Sequence, residues 1–224
     1  MSNLNESIRH LEMPDRIARL PINASGFPIP WFAARLHSGE AIIRIIDPVK
    51  RLRAARLGLC WCCGEPTGSH LSFCLGPMCV VTRVSSEPPS HKSCALFACR
   101  ACPYLTNPNM KRNPIIPEAG KEPPPGIMID RNPGVAVVWT TRDFRSFRDR
   151  DNRILFSIGD PEEVLFFREG RLATSEEVWQ SVESGLPCLR ELAERDGKEA
   201  VASLEKYITE AMRFFPPKEP SHGK

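Results

Sequence analysis

The rhythm of apolar and polar positions changes several times along the chain, and each change marks an element. In residues 21–46, FPIPWFAARL and EAIIRIID flank HSGE. Two apolar runs around a short Gly-containing connection predict a β-hairpin, with Pro28 and Pro30 at a strand start or on an edge. Asp47–Pro48 then predicts a helix start, with Asp as N-cap and Pro at the first helical position, and Gly58 predicts its stop. This helix bears Lys50, Arg51, Arg53 and Arg56, and has Val49, Leu52, Ala55 and Leu57 for burial. HLSFCLGPMCVVTRV predicts two short strands around Gly76–Pro77. SSEPPSHKSCALFACRACP predicts a loop and then a helix from about residue 91, stopped by Pro103.

The second half restarts with GIMIDRNPGVAVVWTT, a predicted hairpin with RNPG at its turn. RDFRSFRDRDNR alternates charges and reads as exposed. ILFSIG and VLFFREGRLA read as strands, the latter bent at Glu169–Gly170. Thr174 and Glu177 form a capping box at the head of a helix that Gly185 ends. Pro187 starts a further helix, which Gly197 ends. In the last helix Val201, Leu204, Tyr207, Ile208, Ala211, Met212 and Phe215 recur at helical spacing. That stripe is expected to pack on the sheet, with a partner helix as the alternative.

These elements predict an α+β protein: an extension over 1–20, a hairpin, basic helix and cysteine-rich unit over 21–103, and an α+β region over 126–215. A flexible tail is expected over 216–224. Between the two units, residues 103–125 hold seven prolines and little apolar periodicity, reading as a linker or as a loop wrapped over one domain. No repeat of fixed period is present.

At 224 residues and 42% hydrophobic content the chain has ample material for a core. No apolar run approaches the roughly 20 residues of a membrane span. MSNLNESIRHLEMPDRIARL, interrupted by Glu6, Glu12 and Asp15, does not resemble a secretory signal, so a cytoplasmic location is expected.

Charge is uneven. Residues 42–112 hold ten Lys or Arg against three acids, whereas residues 113–224 hold sixteen against twenty. A basic region can attract phosphate backbones or acidic proteins, or merely keep a surface soluble. The candidate nucleic-acid contacts are Lys50, Arg51, Arg53, Arg56, Lys92, Arg100, Lys111 and Arg112, with Arg83 beside them. Lys50, Arg53 and Arg56, three apart, share a helix face suited to phosphates.

The basic region is also the cysteine-rich one: eight of nine cysteines fall between 60 and 102. In a reducing compartment such clustering points to metal or redox chemistry rather than to disulfides. In CWCCG, Cys60 and Cys63 form a C-x-x-C followed by Gly64. Two thiolates converging on zinc at about 2.3 Å from one tight turn need the chain to reverse, and glycine allows positive φ there. Twenty-seven residues separate Cys63 from His91, which with Cys94 forms an H-x-x-C at the predicted helix start. A knuckle, a hairpin and a helix whose first turn returns two ligands is a treble-clef-like arrangement. Zn²⁺ held by Cys60, Cys63, His91 and Cys94 is therefore expected, as a closed structural site.

Alternatives stand beside it. Cys62 could replace a knuckle ligand, and Cys99 and Cys102 could replace His91 and Cys94. Cys74, Cys79, Cys99 and Cys102 could hold a second metal, or be buried thiols, and Cys188 reads as core. A thioredoxin-like redox pair would need a strand before it and a long helix after it, and here a basic helix comes first. An HNH-like nuclease would use His70 on the hairpin, but no neighbouring His or Asp or later helical Asn/His completes it; Asn107, Asn109 and Asn113 come after the helix. His10, His37 and His222 read as solvated.

PIPWF, CWCCGE, GPMC, SSEPPSHKSCA, ACPYLTNP, RNPGV and GDPEEV…EGRLATSEEV resemble a group of uncharacterised proteins of bacteria and their phages, over about residues 13–195. The resemblance implies a phage or prophage accessory protein and carries no activity. The expected function is a zinc-stabilised accessory factor, not an enzyme, that binds nucleic acid or a protein acting on it. A metal-dependent nuclease and a protein-only interaction module are the alternatives.

Overall fold

The computed structural model describes residues 4–107, 132 and 134–218. The arm GIMID of the predicted RNPG hairpin, most of the Pro-rich stretch, Lys111 and Arg112 lie outside them, as do Asn109, Asn113, His222 and residues 219–224. Among the described residues the chain is mixed α+β, with seven α-helices and three antiparallel sheets.

Local signals were followed closely where they were chemically specific. β1 (Ala33–Arg35) and β2 (Ala41–Ile46) form the first hairpin, with a bulge between Ala33 and Ala34. In α2 (Pro48–Leu57) the Asp47 carboxylate accepts from the backbone N–H groups of Val49 and Lys50, and Gly58 closes the helix at φ 61°. The buried face of α2 matches the expected one only in part: Leu52 and Ala55 are half-buried, and Ala55 packs against the main core. Ala54 is buried, whereas Val49 and Leu57 are 64% and 61% exposed. The helix is turned so that Arg51 reaches inward beside Glu87 and Asp149, and burial lowers its pKa.

The segment after the knuckle departs from the two-strand expectation. β3 (Leu71–Leu75) is followed by α3 (Pro77–Thr82) and the short β4 (Val84–Ser85). Gly76–Pro77 is a helix start with Pro at the first position rather than a turn. No hairpin therefore lies between the knuckle and α4 (Lys92–Ala101), which begins where predicted with His91 at its N-cap position. α1 (Asp15–Ala18) precedes these elements and α5 (Pro103–Thr106) follows them.

β3 pairs instead with β5 (Ala136–Thr141), which pairs with β8 (Pro161–Arg168), which pairs with β9 (Arg171–Leu172). This sheet draws strands from both sides of the Pro-rich stretch. Every residue of β5 is buried. Val137 and Trp139 enter the main core with Phe73 and Phe156, while Ala136 and Val138 face Ala95 and Cys99 of α4. Burial on both faces explains why VAVVW is continuously apolar. The third sheet joins β4, β7 (Ile154–Ile158) and β6 (Phe144–Arg148); β6 is the charged segment read as exposed, and its last four residues are exposed.

α6 (Ser175–Asp196) runs through both Gly185 and Pro187, so neither is a boundary. Gly185 is small because α3 crosses there: a Cβ would lie 2.8 Å from the Met78 Cγ and Sδ. α7 (Lys198–Ala211) meets α6 and α3, and Leu204, Ile208, Ala211 and Phe215 join the core that includes Val137 and Trp139. Tyr207 of the predicted stripe is exposed. Of the predicted tail, residues 216–218 are tied to α6: the carbonyls of Pro216 and Pro217 accept from Trp179 and Ser175, and Lys218 pairs with Glu183.

The capping box forms in both directions, and Arg171 adds two bonds to the Glu177 carboxylate at 2.6 and 2.8 Å. Arg171 holds that carboxyl down to about 2 from 4.5. A folded-state pKa below the unfolded one stabilises at pH above about 4.5, and this contribution is lost as pH falls toward about 2. Glu177→Gln is expected to cost on the order of 1 kcal/mol at pH 7 and much less at about pH 2. Paired thermal melts at the two pH values check this.

Candidate metal centre

Cys60 and Cys63 come from a turn closed by its own backbone. The Gly64 N–H donates to the Cys60 carbonyl at 2.8 Å, the Cys60 N–H donates to the Glu65 carbonyl at 2.7 Å, and Leu59 bridges to Pro66. Gly64 takes φ 78°, as the reversal requires. It also lies under the Trp31 indole, whose backbone N–H donates to the Cys62 carbonyl at 2.8 Å. The other two residues come from the start of α4, where Cys94 lies in the first helical turn and unpaired backbone N–H groups favour negative charge.

The ligand atoms of Cys60, Cys63, His91 and Cys94 all lie within 4.8 Å of one another. Zn–S bonds of about 2.3 Å in a tetrahedron place sulfurs about 3.8 Å apart, so a small ion fits among them. The Cys63 and Cys94 sulfurs are 3.4 and 3.8 Å from Nδ1 of His91. Nε2 of the same ring lies 2.9 Å from the Pro66 carbonyl oxygen. A carbonyl only accepts, so Nε2 carries the hydrogen and Nδ1 presents its lone pair to the centre. The backbone N–H groups of Cys63 and His91 point at the Cys60 sulfur, 3.5 and 3.4 Å away.

The electrostatics require a cation for full ionisation. Hydrogen bonds from the thiols of Cys62, Cys63 and Cys94 hold Cys60 far below the usual thiol range. Donating to Cys60 pushes Cys63 up to about 11 and Cys94 much further. One thiolate supported by protonated neighbours is the best three sulfurs can do alone, and a divalent ion lets all three ionise.

Around this centre the N-terminal segment forms a cover. Ile8 and Ile17 share a buried cluster with Cys60, Cys63, Cys94 and Phe97. Arg16 and Arg19 reach Glu65 at 3.0 and 2.6 Å. Residues 4–20 are thus part of the unit, and the regular apolar spacing of Ile8, Leu11, Ile17 and Leu20 was the available signal.

The alternative ligands fall out differently. Cys62 is not among the four and lies 3.3 Å from the Ser90 hydroxyl. Cys74 and Cys99 bring their sulfurs to 3.2 Å, and proximity to Cys99 together with burial pushes the Cys74 thiol up. Cys79 and Cys102 are not gathered with them: among the described residues only the first cluster assembles three or more metal-binding side chains. His70 pairs with Glu162 at 2.8 Å, and Glu162 also binds Arg142.

The basic candidates are dispersed. Lys50 donates to the Ala33 carbonyl at 2.7 Å, Lys92 pairs with Glu163 at 2.7 Å, and Arg100 lies over the Phe167 ring. Arg83 stacks on Trp139 and pairs with Asp160. Arg53 and Arg56 remain exposed on α2.

No protein-family model matches the chain, and no curated protein or solved structure is significantly similar to it. Among the described residues no helix is long and apolar enough to cross a membrane.

Proposed function

We propose that the protein is a zinc-stabilised accessory factor, not an enzyme, that binds nucleic acid through its basic half, in keeping with the phage or prophage resemblance. The observation that carries it is the donor set: three cysteine sulfurs and one imidazole lie within 4.8 Å of one another, enough donors to close a tetrahedral site with no position left over for a reacting water. Zinc is the metal this set suits best, because thiolate-rich tetrahedral sites select it over oxygen-preferring ions. Its knuckle would fasten α4, the cover over residues 4–20 and, through Gly58, the end of α2. In this reading the treble-clef resemblance is limited to the knuckle and the helix.

The test is fluorescence anisotropy of labelled single-stranded and duplex oligonucleotides with the zinc-loaded full chain. Binding at 50 mM salt that falls steeply by 300 mM, with strands left intact in added Mg²⁺ or Mn²⁺, is the expected result. No binding at 50 mM salt would overturn the nucleic-acid reading, and cleavage lost in His70→Ala would replace it with the nuclease.

A further inference from the structure

The eight clustered cysteines are not one pool, because α4 carries two buried stripes. Cys94, Phe97 and Ala101, spaced by three and four residues, join the cluster at the candidate metal centre. Ala95 and Cys99, four apart, face the sheet with Ala136, Val138 and Phe167. The partner for Cys99 comes from β3. Side chains alternate along that strand, so Phe73 and Leu75 enter the main core while Cys74 between them packs on the α4 side. There the Cys74 and Cys99 sulfurs meet at 3.2 Å, both as free thiols. Neither is among the four gathered donors, and among the described residues no third metal-binding side chain joins them. Two sulfurs are half of what a tetrahedral site needs. A disulfide holds its sulfurs about 2.05 Å apart, so closing this pair takes a shift of only about 1 Å.

We propose that Cys74 and Cys99 are a modification site, oxidised by peroxide to an intramolecular disulfide that fastens the middle of α4 to β3 while the donors at the helix start keep their ion. This inference stands apart from the nucleic-acid reading and shares only the helix with the metal reading. In the first step one sulfur, as its thiolate, attacks an oxygen of hydrogen peroxide. A sulfur–oxygen bond forms, the oxygen–oxygen bond breaks, and the departing hydroxide takes up the proton that the thiol gave, leaving as water. In the second step the other sulfur attacks the sulfenic sulfur. The sulfur–sulfur bond forms, and the hydroxyl leaves with the second thiol's proton as another water. Two thiols together lose two electrons, and one peroxide is reduced to two waters. Cys74, half-buried on an edge strand, is the more open of the two, and Cys99 is 1% exposed. Burial and the neighbouring sulfur hold the Cys74 thiol up, so oxidation is slow, on the order of minutes to hours. An added thiol reverses it by exchange.

The experiment exposes the zinc-loaded full chain to a small excess of hydrogen peroxide, then quenches, denatures and alkylates it. Two of the nine cysteines are expected to escape alkylation, and fragment spectra should link residue 74 to residue 99. A chromogenic chelator should detect little released zinc. The bridged residues lie 25 apart in sequence, and constraining that loop should raise the melting temperature by roughly 5–10 °C until a reductant is added. Cys74→Ala and Cys99→Ala should abolish the link, whereas Cys188→Ala should keep it. The wild-type map decides the matter even where a variant fails to fold. All nine cysteines alkylated, or bridges among Cys60, Cys63 and Cys94 with residues 74 and 99 still alkylated, would overturn the proposal. A 74–99 link formed with loss of zinc would overturn the separation of the two stripes, and one that leaves melting unchanged would overturn the fastening role. A chain that takes up no zinc yet links 74 to 99 would overturn the metal reading and support this one.

Discussion

Cys60→Ser is expected to empty the metal centre and unfold the elements around it. The Cys60 sulfur receives two backbone N–H groups and three neighbouring thiols, so it is the most heavily stabilised anion of the cluster. A serine hydroxyl does not ionise at neutral pH and is a poor zinc ligand. Structural zinc contributes on the order of 10 kcal/mol of apparent binding free energy, comparable with the whole stability of a typical domain. The residues stacked behind the centre, Ile8, Ile17 and Phe97, lose their packing partner at the same time. Elemental analysis should find one zinc per chain in the wild type and close to none in Cys60→Ser or Cys94→Ser. Cys188→Ser, on α6, should keep the wild-type amount. Limited proteolysis should open residues 4–107 in the two ligand variants. A Cys60→Ser protein that retains wild-type zinc would sink the ligand assignment.

Gly64→Ala is the second substitution with a large expected effect. The added Cβ would lie 2.4 Å from Cγ and Cδ1 of Trp31 and 2.7 Å from its Nε1, at a backbone φ of 78°. The left-handed conformation costs an alanine about 1 kcal/mol and overpacking costs about 1–3 kcal/mol, for a sum of about 2–4 kcal/mol. The indole cannot slide away cheaply, because the Trp31 backbone N–H is bonded to the Cys62 carbonyl and Lys50 lies over the ring. Relief must come from opening the knuckle, so the metal should be lost to a competing chelator more readily than from wild type. Gly68→Ala is the matched control: a Cβ there meets nothing within 4 Å. Equal melting temperatures and equal chelator resistance in the two variants would contradict the role given to Trp31.

Both expectations concern features readable in the sequence, and the reason is locality. C-x-x-C-G and H-x-x-C each place two ligands within one turn, and the Asp47–Pro48 and Thr174–Glu177 signals act over three residues. Such patterns survive whatever the rest of the chain does. The features that were not legible depend on distant partners. Gly76–Pro77 fits a turn as well as a helix start, and the choice is made by β3 pairing with β5 more than sixty residues later. α2 turns Arg51 inward and leaves Val49 and Leu57 exposed, an orientation that no helical pattern within the segment encodes. Gly185 resembles a stop until Met78 is seen to occupy the space its missing side chain leaves. The lysines and arginines were counted correctly as a cluster in sequence. In space several are spent on carbonyls, carboxylates and rings, which moves the open charge to the far end of α2.

The position of β5 has a consequence for how the protein is made. All four candidate ligands, ending with Cys94, are synthesised before β5. If the centre holds an ion, the donors for it are in place in sequence while Phe73 and Leu75, whose burial needs the later strand, are still uncovered. Chaperone attachment during synthesis should concentrate on β3, and should end when Ala136–Thr141 emerges and closes the sheet.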